Sequence, residues 1–132
     1  LVFDTGNPAM TYRRIGNPPW PKQDAFEFYQ KVREHIKYVH IKDGQYIGET
    51  DGIFPKAEFT WPGEGNGSIR KIVKDLLKTG YDGGFSMEPH LKVVFHEENQ
   101  NSDEQAKYDS YVEYGKRFMN LIDSVKKELE NE

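Results

Sequence analysis

The stretch KYVHIKDGQ, residues 37–45, is where the reading of this chain turns. Val39 and Ile41 alternate as a buried strand requires, yet His40 stands between them and Lys42-Asp43 closes the run. Two readings are open. In one, a core strand holds a satisfied histidine and then ends in ordinary polar residues; in the other, it delivers its polar end into a site. His40 alone does not choose between them.

The flanking segments supply the context. LVFD, residues 1–4, is a short apolar run closed by Thr5-Gly6-Asn7-Pro8, the pattern of a strand followed by a turn. Residues 9–23, with Pro18, Pro19 and Pro21 around Trp20, read as loop. Asp24 reads as a helix N-cap with Glu27 three residues on, and AFEFYQKVREHI sets Phe26, Tyr29, Val32 and Ile36 on one face. Beyond the quoted strand, residues 44–66 read as one long loop rich in glycine and aromatic residues, too long for an idle connection.

Ser68 reads as the cap of the next helix, whose Ile69, Ile72, Val73, Leu76 and Leu77 form an apolar stripe, with Gly80 just past its end. GGFSMEPH, residues 83–90, is the third strand, and residues 91–107 a polar loop. A last helix over 108–130 places Tyr111, Phe118, Leu121, Ile122, Val125 and Leu129 inward. Three strand–helix alternations predict an α/β fold with a parallel sheet and helical crossovers.

Composition narrows the function classes. The chain has 132 residues, enough for one domain with a real core, and 18 Lys+Arg against 22 Asp+Glu give a net charge of −4. An acidic balance argues against a surface built to neutralise nucleic-acid phosphates. Without cysteine there is neither a disulfide framework nor a thiolate metal site. No apolar run approaches the roughly 20 residues of a membrane span, and the expected location is cytoplasmic.

Each strand ends in the same manner. The first closes on Asp4, the second carries His40 near its end, and the third ends in Glu88-Pro89-His90. Ligands bind at the carboxyl ends of parallel strands, so Asp4, His40 and Glu88 are expected on one rim. Taken singly, Asp4 could be a turn-forming aspartate and His40 a core histidine. Together they are hard or borderline donors suited to Mn²⁺, Mg²⁺, Co²⁺ or Zn²⁺. His90, His96 and the acidic run 97–104 read as solvated loop, and His35 suits a helix C-terminus. Trp20, Tyr46, Phe54, Phe59 and Trp61 either pack loops or wall a pocket.

LVFDTGNP, YVHIKD and WPGEGNGSIRKIVKDLLKTGYDGGFSMEP together resemble the last three strand–helix units of the xylose isomerase-like sugar phosphate isomerase/epimerase barrels. The resemblance covers about residues 1–90, with the last helix as the closing helix, and GEGNGSIRKIVKDLLKTGYDGGFSMEP is its most specific part. It implies the C-terminal part of a TIM (β/α)8 barrel over residues 1–132, with Asp4, His40 and Glu88 as three of four metal ligands. The fourth, a glutamate, is expected upstream of Leu1 in a longer chain, so that residues 1–132 alone are expected to be inactive, to bind metal more weakly than the intact barrel, and to associate with another copy or with the remaining part.

The activity the resemblance implies is metal-dependent isomerisation or epimerisation of a sugar or sugar phosphate through an enediolate, with Glu88 in proton transfer. Lys42, Asp43 and Glu64 are expected to touch substrate or orient a ligand. Two alternatives are a non-catalytic sugar-binding barrel and an endonuclease IV-like DNA repair enzyme, the latter disfavoured by the acidic loops.

Overall fold

The computed structural model describes residues 1–90 and 103–132. Along the chain run β1 (Val2–Asp4), α1 (Ala25–Val32), β2 (Tyr38–Ile41), β3 (Asp43–Gly48), β4 (Lys56–Thr60), α2 (Ile69–Lys78), β5 (Phe85–Met87) and α3 (Asp103–Glu130). β1, β2 and β5 form a parallel sheet in that order, with Asp4 beside His40 and His40 beside Ser86. α1 makes the first crossover and α2 lies in the second, as the alternation predicts. The sheet is open, and no strand closes it among the described residues.

Alternation along the strands divides the sheet into two faces. Phe3, Val39 and Ile41 enter the core with Ile69, Ile72, Val73 and Leu76 of α2 and Tyr114, Phe118, Ile122 and Val125 of α3. Burying each of these aliphatic side chains stabilises by roughly 1.5–3 kcal/mol. The even-numbered residues, Asp4, Tyr38, His40 and Ser86, lie on the other face and stay partly exposed.

α1 begins as its sequence indicates: the Asp24 carboxylate accepts the Glu27 N–H at 2.8 Å. Its face holds Tyr29 buried, with Phe26 and Val32 packed against the core. The helix stops at Val32, short of the expected Ile36, and a 3-10 turn over Arg33–His35 leads to Ile36, which is buried in extended conformation ahead of β2. Residues 9–23 are largely irregular, with a 3-10 turn at Pro8–Met10 and a single bridge between Tyr12 and Lys22.

Several local expectations are corrected. Residues 44–66 are not one loop, because β3 and β4 pair there as an antiparallel hairpin with a bulge between Tyr46 and Gly48. Both strands are largely exposed and β3 is interrupted by Gly44 and Gly48, so neither shows the apolar alternation that marks a strand. Ser68 does not cap α2 with its side chain; it takes a left-handed conformation (φ 53°) and contributes only its carbonyl, to Ile72 N–H at 3.0 Å.

The regular part of the third strand is confined to Phe85–Met87 within the expected 83–90. α3 starts at Asp103, not near 108, and its inward line runs through Ala106, Ser110, Tyr114 and Phe118 at four-residue steps. Tyr111 therefore falls on the outer side and is 54% exposed. The rest of the expected polar loop, with His96, lies outside the described residues.

Candidate metal centre

The ends of β1 and β2 are stitched together by one buried residue. Thr5 N–H donates to His40 O at 3.0 Å, and Thr5 Oγ1 both accepts the Lys42 N–H at 3.0 Å and donates to Lys42 O at 2.6 Å. On the other side Glu88 N–H donates to Ile41 O at 2.8 Å, extending the ladder one residue past β5. Glu88 follows Ser86 by two, so it returns to the face that carries Asp4 and His40.

Asp4, His40 and Glu88 consequently converge, each offering one ligand atom, with all three atoms within 4.8 Å of one another. His40 Nδ1 lies 3.2 Å from Glu88 Oε1. The Asp4 carboxylate is already oriented, since its Oδ1 accepts the N–H groups of Gly6 at 2.9 Å and Asn7 at 3.1 Å. Its Oδ2 faces the cluster. Three side chains expected on one rim from their strand-end positions do share it.

Two donors about 2.0–2.2 Å from one ion, at the angles of tetrahedral or octahedral coordination, lie roughly 3–3.5 Å apart. The His40–Glu88 separation falls in that range. The mixed nitrogen and oxygen donor set, partly buried on all three residues, fits a divalent ion of the Mn²⁺ or Zn²⁺ kind.

Around the trio, Tyr38 presents its ring edge-on to His40 with centroids 5.6 Å apart. Lys42 reaches in, its Nζ 3.2 Å from Asp4 Oδ2 and 4.0 Å from Glu88 Oε2. Asp4 also walls a groove of about 460 Å³ lined by Asn7, Thr11, Tyr12 and Gln23, with Phe28 and Val32 among its apolar lining. His90 belongs here too, though its sequence context reads as solvated loop. Its imidazole stacks on Phe59 at 5.3 Å, and Nε2 lies 3.8 Å from Glu88 Oε2. A histidine two residues past Glu88 was the available signal.

The other two substrate-contact expectations place differently. Asp43 is wholly buried and commits both oxygens to the backbone of the following loop. Oδ1 accepts from Gly44 and Gly67, each at 2.9 Å, and Oδ2 from Gly63 at 2.8 Å and Gly65 at 3.1 Å. Burial holds its carboxyl above the ordinary range, and the four N–H donors offset only part of that rise. At Gly65 a Cβ would run into the Gly44 carbonyl, Asp43 Oδ1 and Thr60 Oγ1, so only glycine lets the loop close on the carboxylate. The alternating glycines of GEGNG form an anion nest that Asp43 fills. That spacing was legible in the sequence; its occupant was not.

Glu64, on the same loop, is exposed and faces α3, 3.6 Å from Arg117. Arg117 in turn lies over the Trp61 ring at 4.1 Å and bonds Glu113 at 2.9 Å. Trp61 packs on Tyr114, a fully buried residue whose hydroxyl has no hydrogen-bond partner among the described residues. Burial, then the nearby Asp43 carboxylate, push this phenol well above its ordinary range. Trp20 and Tyr46 flank Tyr12, and Phe54 lies beneath Arg14, so these rings pack loop against loop.

Compared with protein-family models, with curated proteins and with solved structures, the chain matches none. Among the described residues no helix is long and apolar enough to cross a membrane.

Proposed function

We propose that the protein is a metal-dependent sugar or sugar phosphate isomerase or epimerase, and that its three-stranded sheet is part of a (β/α)8 barrel. The observation that carries this reading is the convergence of Asp4, His40 and Glu88 at the carboxyl ends of three parallel strands. Packing alone does not call for two carboxylates and an imidazole there. The motifs that resemble the xylose isomerase-like barrels lend it further support.

A divalent ion held by these three side chains would supply Lewis-acid polarisation of a carbonyl and its neighbouring hydroxyl. Asp4 is the most firmly positioned of the three, through its two backbone N–H bonds. His40 is oriented by the Tyr38 edge on one side and by Glu88 on the other. Glu88, 36% exposed, is the carboxylate open to substrate. Its oxygen takes the proton from the carbon next to the carbonyl, and the electron pair moves into an enediolate. Return of that proton by Glu88 to the former carbonyl carbon, with the hydroxyl proton passing from one oxygen to the other, gives the isomer; delivery of a proton to the original carbon by a second acid on the opposite face gives the epimer. Lys42, whose ammonium lies beside both carboxylates of the cluster, would add positive charge to the site as the enediolate forms.

Calorimetric titration with Mn²⁺ tests the centre. Binding should occur in the unmodified protein and weaken at least about 10-fold in Asp4→Asn and in His40→Ala, each of which removes one donor. Epimerase or isomerase activity on a panel of ketoses should be lost on chelation and return with Mn²⁺. Mn²⁺ binding that ignores both substitutions would refute the assignment.

A further inference from the structure

The cluster contains a cation of its own. The Lys42 side chain is 13% exposed, and its ammonium lies 3.2 Å from Asp4 Oδ2. Because Oδ1 of Asp4 is taken by two backbone N–H groups, Oδ2 is the oxygen left for a metal, and Lys42 holds that oxygen. The same ammonium is 4.0 Å from Glu88 Oε2, so it links the two carboxylates of the trio.

The position of this ammonium is imposed from both ends of the residue. Thr5 clamps the Lys42 backbone through its N–H and its carbonyl. The aliphatic stem then passes directly over Gly6, where a Cβ would lie 2.9 Å from Lys42 Cγ and 3.0 Å from Cε. Any side chain at position 6 would push the stem aside. A lysine with a fixed base and a walled stem is a built feature of the site, unlike a surface ion pair that forms and breaks freely.

We propose that Lys42 is the internal counter-cation of the metal centre. In the metal-free protein it holds Asp4 and Glu88 together against their mutual repulsion. It yields Asp4 Oδ2 when a divalent ion binds, and so sets how tightly the ion is held. The inference rests on the proposed metal centre and concerns a residue outside its ligand set. The physical reason is the sharing of one oxygen: an ion about 2.1 Å from Asp4 Oδ2 is at most about 5.3 Å from an ammonium 3.2 Å from that atom. At that separation, in a partly buried site, repulsion between a double and a single positive charge is not screened away.

Lys42→Met removes the charge and keeps an unbranched stem over Gly6. Mn²⁺ titration by calorimetry should show binding about tenfold or more tighter in Lys42→Met than in the unmodified protein. Without metal the variant should melt at a lower temperature, and saturating Mn²⁺ should remove most of the difference. Lys42→Gln, measured in the same two ways, serves if the methionine variant does not fold. Equal or weaker Mn²⁺ binding in the variant overturns the role of Lys42 and leaves the metal centre standing. An absence of Mn²⁺ binding in the unmodified protein and the variant alike overturns both.

Discussion

Asp43→Asn isolates the interaction that holds the loop after β4 over the sheet. The carboxylate accepts four backbone N–H groups, two on each oxygen. Asparagine offers a single acceptor oxygen and turns an NH₂ group toward the other pair of donors. Gly44 and Gly67 are buried, whereas Gly63 is exposed, so the oxygen should stay with the first pair and the amide should face Gly63 and Gly65. Two hydrogen bonds are lost, and each deprived buried donor costs about 1–3 kcal/mol. Access of water to Gly63 and relief of a buried charge both reduce the penalty, leaving a loss of about 2–3 kcal/mol.

Urea unfolding should show this as a lower midpoint at unchanged slope. Amide exchange should locate it, with the Gly63 and Gly65 amides exchanging faster while those of Gly44 and Gly67 stay protected. A variant as stable as the parent, with all four amides unchanged, would mean that the carboxylate does not anchor the loop.

Other outcomes follow from the same geometry. Tyr29 is fully buried and donates to Asp75 Oδ2 at 2.7 Å; burial, then that bond and the Asp75 charge, hold its phenol far above the ordinary value near 10, with Arg33 opposing. The folded state then keeps a proton that the unfolded chain releases above pH 10. Stability contributed by this residue is present below that pH and falls by about 1.4 kcal/mol per pH unit above it. Tyr29→Phe should remove that part of the alkaline slope between pH 10 and 11 in urea melts, and an unaltered slope would show that Tyr29 does not hold its proton. Ile72→Ala, at a fully buried position, should lower stability by about 2–5 kcal/mol. Tyr111→Ser, on the outer side of α3, should stay within about 0.5 kcal/mol of the parent; a larger loss would restore Tyr111 to the core.

The three core strands, the two crossover helices and the existence of α3 were legible in sequence because each rests on a local signal. β2 shows alternation, α1 has its Asp24 cap, and α2 carries a stripe that the core fills residue for residue. The ends of the strands were legible for the same reason, which is why Asp4, His40 and Glu88 could be named together before their distances were known. What the sequence could not settle depends on partners far away in the chain. The hairpin of β3 and β4 exists through pairing with a strand whose own pattern is as weak, and Tyr111 lies outward because Tyr114 and Phe118 fit the surface offered by β5 and α2. Lys42 and Asp43 are adjacent and similarly polar, yet one enters the cluster and the other turns to a nest of glycines some 20 residues on. Alternation sends neighbouring side chains to opposite faces, and only the tertiary structure reveals that one face holds carboxylates in need of a cation and the other holds N–H groups in need of an anion.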